Sequence, residues 1–358
     1  MRDLDLTPEQ EGVIYEICRW RESNPYGDRQ ILSVGGYAGT GKTTLIAHLI
    51  GRWHDIAVGA LCGKAAHVLR QKGVEATTLH SLIYLPFENA EKKVCYRKRN
   101  HLKDVRTIIV DEASMIDEFL LEDLKSFDLP ILAVGDHGQL EPVGKSPNLM
   151  KAPHLRLETI HRQAANNPII RLATAFREGR DTPYWSDPRG RLTLTSHRNF
   201  WDYVRPDVQI ICGFNKTRHS VNAHVRKMLG HTDLIQPGER LICLKNNKRL
   251  GTFNGQQFTV NGILGETKRY VEVEVETDDL QQMALRCLKR QFGVEVLADY
   301  KAKDVVLCDY AYAITAHKSQ GSEYSDVLVL EEVARSWDAR RWRYTSATRA
   351  RDRLTYCA

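Results

Sequence analysis

The sequence predicts an α/β fold in two sheet-and-helix units, with a small β excursion in the first and a small antiparallel β insertion in the second. Short apolar runs recur between helical stretches at 31–34, 57–61, 107–110 and 131–134, and the rhythm returns at 209–212, 310–315 and 327–330. Strands that alternate with helices build largely parallel sheets. A glycine-rich loop, Gly36-Tyr37-Ala38-Gly39-Thr40-Gly41-Lys42-Thr43, follows the first of these runs and opens an apolar-faced helix at 44–50. The run Val271-Glu272-Val273-Glu274-Val275-Glu276 alternates strictly, the period of a half-buried strand.

Each element follows from the same kind of reading. Ile31-Leu32-Ser33-Val34 is apolar throughout, as a strand buried on both faces must be. Residues 85–105 are polar and basic, with Glu88-Asn89-Ala90-Glu91 placed to turn a hairpin. Residues 236–300 hold the strand candidates 240–244, 257–260 and 270–276, with turns at Asn246-Asn247 and Phe253-Asn254-Gly255. The expected domains are therefore 1–152, then 153–235 with 301–358, and an inserted β module at 236–300.

The chain has 358 residues, 42% hydrophobic and 27% charged, which suits two or three packed globular units. No apolar run reaches the length of a bilayer span, and Met1–Leu6 lacks the apolar stretch of a secretory signal. Eight cysteines stand singly with no C-x-x-C spacing, so reduced thiols in a cytoplasmic protein are expected. The net charge of +6 is concentrated: Lys92-Lys93 with Tyr96-Arg97-Lys98-Arg99, then Lys245, Lys248 and Arg249, then Arg335, Arg340, Arg341 and Arg343. Each cluster alone reads as a solvated face; three of them beside nucleotide motifs point to a polyanionic partner.

The loop at 36–43 matches the phosphate-binding spacing G-x-x-x-x-G-K-T in its required strand–loop–helix context. Its glycines let backbone N–H groups turn toward an anion at a helix N-terminus. Gly36, Gly39, Thr40, Gly41, Lys42, Thr43 and Thr44 are the expected contacts to a nucleoside triphosphate. Lys42 would reach the β- and γ-phosphates and the Thr43 hydroxyl would ligate Mg²⁺. Asp111-Glu112 ends the run 107–110 on the same sheet edge. Asp111 would hold the Mg²⁺ through its hydration shell and Glu112 would activate the attacking water. In Gly135-Asp136-His137-Gly138-Gln139, the Gln139 amide could touch both a γ-phosphate and a bound water.

The order of motifs resembles the superfamily 1 helicases, in their RecD-like and Dda-like branch, over nearly the whole chain. Leu6-Thr7-Pro8-Glu9-Gln10 is similar to the family's adenine-reading glutamine motif, and Gly63-Lys64-Ala65-Ala66 and Thr77-Thr78-Leu79-His80 to its strand-contacting segments. Asp111–Met115 and Gly135–Leu140 resemble motifs II and III, and Ile160-His161-Arg162-Gln163 motif IV. Residues 311–323, from Ala311 through His317-Lys318-Ser319-Gln320-Gly321-Ser322-Glu323, resemble motif V, and Tyr344–Ala350 motif VI. Two departures stand out: Leu61-Cys62 where relatives carry Pro-Thr, and Glu141 where Pro is common.

The resemblance implies two RecA-like domains and ATP hydrolysis coupled to 5′→3′ movement along single-stranded DNA. It implies that Arg162 and Arg349 act from the second domain as arginine fingers, that Gln10 reads adenine, and that Gly321 and Glu323 serve the nucleotide. It implies strand contacts from Lys64, Thr77, Thr78, His80, Asn215, Thr217, Arg218, His317 and Ser319. The 85–105 excursion sits where relatives carry a duplex-splitting pin; Phe87 and Tyr96 read equally as base-stacking groups or as packing of a small subdomain. The 236–300 module sits where relatives carry an SH3-like insertion. The expected partners are single strands, their junctions with duplex, and replication or recombination proteins, served by a monomeric motor. A DNA-gripping subunit with incidental ATPase, and RNA as the track, are the competing readings.

Overall fold

The computed structural model describes residues 6–61, 63–88, 94–141, 147–180, 182, 185–247, 249–252, 254–277, 280–295 and 304–358. The chain divides into two units, Met1–Leu85 with Lys98–Arg180, and Pro86–Arg97 with Asp181–Ala358.

The first unit starts with α1 (Pro8–Glu22), whose N-terminus is a capping box: Thr7 and Gln10 satisfy each other's backbone N–H groups, and Pro8 fills the first turn. Its apolar stripe buries Val13, Ile14, Ile17 and Cys18. There follow β1 (Ile31–Gly36), α2 (Lys42–Arg52), β2 (Ile56–Ala60), α3 (Gly63–Gln71), β3 (Ala76–Thr78) and α4 (Leu79–Ile83). Strands β4 (Tyr84–Glu88) and β5 (Val94–Lys98) pair as a two-stranded sheet, with the residues between them, 89–93, outside the described set. The first unit resumes with β6 (Thr107–Asp111), α5 (Glu118–Lys125), β7 (Ile131–Gly135), β8 (Leu155–Leu157), α6 (Arg162–Ala165) and α7 (Pro168–Glu178).

Its sheet runs β3-β2-β6-β7-β1-β8, with every neighbouring pair parallel. The carboxyl end of β1 therefore opens into the phosphate loop, and that of β6 presents Asp111. Val34, Leu45, Ile46, Leu49, Ile109 and Leu132 fill the core between this sheet and its helices.

The second unit comprises β9 (Leu192–Thr195), β10 (Gln209–Cys212), α8 (Asn215–Met228), β11 (Arg240–Cys243), β12 (Gln257–Glu266), β13 (Tyr270–Thr277), β14 (Gln282–Leu288), β15 (Cys308–Tyr310), β16 (Ala313–Thr315), β17 (Tyr324–Leu330), α9 (Ala339–Ala347) and β18 (Ala350–Cys357). One parallel sheet runs β16-β10-β17-β18-β9; a second, antiparallel one runs β14-β13-β12-β11-β15. As the alternation predicts, Val271, Val273 and Val275 of β13 face inward and are buried.

Three boundaries differ from the sequence reading. Residues 153–180 belong with the first unit, because β8 adds to β1 in register Val34↔Leu155 and Gly36↔Leu157. Residues 86–97 group with the second unit, where the Tyr96 ring lies against Gly251 so closely that a Cβ there would stand 2.5 Å from it. The run 310–315, read as one strand, is cut between two sheets at Ala311-Tyr312. The Gln209 amide donates to the Ala311 and Tyr312 carbonyls, and the Asn222 amide spans Tyr310 and Ala313, so side chains absorb the backbone groups that the break frees.

Candidate nucleotide site and strand-contact residues

The nucleotide motif is held in shape before any ligand contact is considered. Gly39 and Gly41 both sit at φ +82°, the left-handed region that a side chain disfavours. A Cβ on Gly41 would stand 2.3 Å from Gln10 Nε2 and 2.5 Å from His161 Nε2, so the residue is fixed as glycine by space as well as by backbone. Lys42 Nζ donates to the Gly36 and Tyr37 carbonyls at 2.8 and 3.0 Å, and Thr40 Oγ1 to the Tyr37 carbonyl at 2.9 Å. The lysine ammonium thus lies over the loop, where a phosphate would meet it.

Around the loop, Tyr37 is flanked by the His137 ring at 4.2 Å and by the Arg177 guanidinium at 3.8 Å. Burial holds the His137 imidazole below its usual titration range, only partly offset by the Asp136 carboxylate. Asp111 and Glu112 are half-buried at the end of β6, and Glu112 adopts φ +55°. A non-glycine residue in that region is uncommon and recurs at functional sites. Gln139 is buried at 3% exposure. Thr43 and Thr44 lie in the first turn of α2 and are half-buried.

Gln10 is fully buried. Its Oε1 accepts the Thr7 backbone N–H at 3.0 Å, and its Nε2 faces the Thr40 carbonyl at 3.3 Å and His161 Nε2 at 3.0 Å. The preceding residue, Glu9, accepts the backbone N–H groups of Glu158 and Thr159, each at 3.0 Å. The His161 N–H donates to the Gly39 carbonyl at 3.0 Å. The start of α1, the phosphate loop and the connector after β8 are therefore tied together inside one unit. The motif order includes Glu9, Tyr37 and His161 without giving any of them a role, and nothing in the sequence marks Arg177 or the contacts that link these residues.

Arg162 was expected from the second unit, yet its backbone opens α6 in the first; its side chain, like that of Lys64, lies outside the described residues. Thr77 is exposed beside a cleft of about 620 Å³ lined by Arg70, Glu75 and Leu82. Thr78 is buried as the N-cap of α4, its hydroxyl accepting the Ser81 N–H. The His80 ring packs on Tyr84 at 5.4 Å.

Several second-unit candidates are engaged by their own fold. Arg218, expected on the strand path, is 3% exposed with Nη1 at 2.8 Å from Asp309 Oδ2, an ion contact rather than an aligned hydrogen bond. Thr217 Oγ1 donates to Glu332 Oε1 at 2.6 Å, and Ser319, fully buried, donates to the Ala316 carbonyl. Arg349 is 3% exposed; its guanidinium donates to Thr345 O, Ser322 O and Thr348 Oγ1. Gly321 takes φ +71° and Glu323 is exposed. Asn215 is exposed, and His317 lies edge-on to Trp337 at 5.4 Å with its ring nitrogens held below their usual range by burial. Phe87 is 41% exposed, open to a ligand, whereas Tyr96 is half-buried against Gly251.

Comparisons with known proteins bear on this arrangement. The AAA domain family matches residues 6–197, and the UvrD-like helicase C-terminal domain matches residues 310–356. The chain is 28% identical to the ATP-dependent RecD2 DNA helicase of Deinococcus radiodurans over 98% of its length, and spans 48% of that relative. It is 25% identical to the ATP-dependent DNA helicase Dda of phage T4, over 64% of this chain and 58% of that one. A solved structure of Pif1 helicases at forked duplex DNA shares the fold at TM-score 0.57 and 19% identity, covering 99% of this chain and 92% of the other. Bacteroides Pif1 bound to single-stranded DNA matches at TM-score 0.53 and 18% identity, over 99% and 93%.

Proposed function

The chain belongs to the AAA domain family and to the superfamily 1 helicases of the RecD-like and Pif1 type, and we propose that it is an ATP-driven motor on single-stranded DNA. The observation that carries the reading is one sheet edge: β1 runs into the phosphate loop while β6, two strands away, ends in Asp111-Glu112. In this reading a triphosphate cradle and an acidic pair share that edge, as phosphoryl transfer to water requires. The curated helicase relatives named above are longer than this chain, which spans about half of RecD2.

In this reading Lys42 stabilises the transferred phosphoryl group, Glu112 orients the attacking water, and Gln139 reports the γ-phosphate. Among the described residues no cluster of three or more histidine, cysteine or carboxylate ligands could hold a metal alone. The donor set that is present, the Thr43 hydroxyl and the Asp111 carboxylate, fits Mg²⁺, which takes one or two protein ligands and fills its shell with phosphate oxygens and water. The ion would neutralise charge on the β- and γ-oxygens.

Gln10 reads adenine, and Arg162 and Arg349 act as fingers; Arg349 has to leave its three present acceptors to do so. Thr77, His80, Asn215 and His317 contact the strand, with Phe87 stacking on a base. Movement is 5′→3′, the antiparallel sheet of the second unit serves as an SH3-like closure over the strand, and β4–β5 acts as the separating pin. The test is the steady-state ATPase rate with and without single-stranded DNA, for the wild type and Glu112→Gln. Strong stimulation by DNA, lost in the variant, is expected. A rate indifferent to DNA overturns the coupling, and stimulation by RNA alone reassigns the track.

A further inference from the structure

The Gln10 amide has a fixed orientation and no N–H to spare. Thr7 offers it an N–H and Thr40 a carbonyl, so the oxygen must face the first and the nitrogen the second. Of the two amide hydrogens, one is directed at Thr40 O and the other at His161 Nε2. An adenine edge presents a 6-amino donor beside a ring-nitrogen acceptor, and a glutamine reads it by accepting from the first and donating to the second. Gln10 Oε1 has a second lone pair for the amino group. Its nitrogen can donate to the base only by giving up an acceptor it already holds.

The two acceptors are not equivalent. Thr40 O belongs to loop backbone between β1 and α2, and Thr40 is anchored there by its own hydroxyl and N–H, both of which donate to the Tyr37 carbonyl. His161 lies on the connector between β8 and α6, attached by side chain to Gln10 and by backbone to Gly39 O, while Glu9 holds the two residues at its start. We propose that His161 is an exchangeable acceptor: binding of the base transfers one Gln10 N–H from His161 Nε2 to the adenine ring nitrogen. The release loosens the connector at the residue before Arg162. His161 is then a positioning residue that makes base binding and the placement of residue 162 mutually dependent, a coupling that is reciprocal by linkage. The proposal rests on the adenine-reading role given to Gln10 above.

The experiment is equilibrium binding of ATP and of inorganic tripolyphosphate, without turnover, to the wild type, His161→Leu and His161→Gln. Removing a competing hydrogen bond of ordinary strength should tighten ATP binding by about two- to tenfold in His161→Leu. His161→Gln restores an acceptor oxygen near the lost nitrogen and should return to the wild-type value. Tripolyphosphate has no base to exchange, so its affinity should be the same in all three proteins. Hydrogen exchange of the wild type alone gives a second measure: residues 158–164 should exchange faster with ATP than with tripolyphosphate. Unchanged or weaker ATP binding in His161→Leu, a parallel change for tripolyphosphate, or equal exchange with both ligands overturns the proposal. A wild type that binds tripolyphosphate but gains nothing from the base overturns instead the reading of Gln10.

Discussion

Arg218 Nη1 stands 2.8 Å from Asp309 Oδ2, with side-chain exposures of 4% and 0%. The pair joins α8 to β15, and Asp309 Oδ1 also accepts the backbone N–H groups of Gly293 and Tyr310. An arginine that the motif order places on a nucleic-acid path is thus part of the second unit's interior. Removing one partner of a buried pair leaves an uncompensated charge, which costs about 3–5 kcal/mol. Arg218→Ala should accordingly lower the urea midpoint sharply, and Arg218→Met should lower it less. A variant with unchanged stability and weakened strand binding would return Arg218 to the strand path.

Lys42→Ala removes the ammonium that Gly36 O and Tyr37 O hold over the phosphate loop. Loss of one such charge-stabilising group lowers turnover by about 10²–10³. ATP hydrolysis should fall by at least that factor, while single-strand binding stays measurable by anisotropy. Hydrolysis at the wild-type rate would remove the active-site assignment.

Lys318 is pushed down to about 8, chiefly by burial, with the Arg218 charge acting in the same direction and Cys243 against it. Its ammonium donates to Asn254 Oδ1. Because an unfolded lysine titrates near 10.4, the unfolded chain binds more protons between pH 8 and that value, and stability rises with pH there. Below pH 8 both states are charged and the folded state carries the full desolvation penalty. Urea unfolding of wild type against Lys318→Met should show the variant's relative stability falling from pH 7 to pH 10. A pH-independent difference would mean that Lys318 is solvated.

The strand affinity should fall steeply with salt, with a log–log slope of about −0.7 for each phosphate neutralised. The basic clusters around Arg97–Arg99 and Arg335–Arg343 make several such contacts available. Arg343 is already drawn to Glu331 at 2.7 Å. Arg343→Ala should therefore change the slope less than Arg335→Ala, measured by titration at several salt concentrations. A flat response in the wild type would exclude a basic strand path.

Glu9 shows where the sequence stops informing. It reads as an acidic first-turn residue, favourable to any helix N-terminus, and its carboxylate instead holds two backbone groups about 150 residues downstream. Gln10 was legible as a motif glutamine, but its pairing with His161 was not. In the second unit, β10 spans the very residues read as a strand, whereas the run 310–315 is divided because Tyr310 pairs with β11 and Ala313–Thr315 with β10, partners far away in sequence.

The sequence by itself determined the phosphate loop, the acidic strand end, the alternation that builds parallel sheets and the order of motifs. These depend on spacing and periodicity over a few residues, which the chain carries locally. The tertiary structure alone decided which motif side chains remain open to a ligand and which are spent within the fold. Thr217 and Arg218 look like any other motif side chains in a string, yet each is engaged by a partner that only folding brings near. A buried polar group must find such a partner or lose about 1–3 kcal/mol, and the identity of the partner is a property of the packed chain.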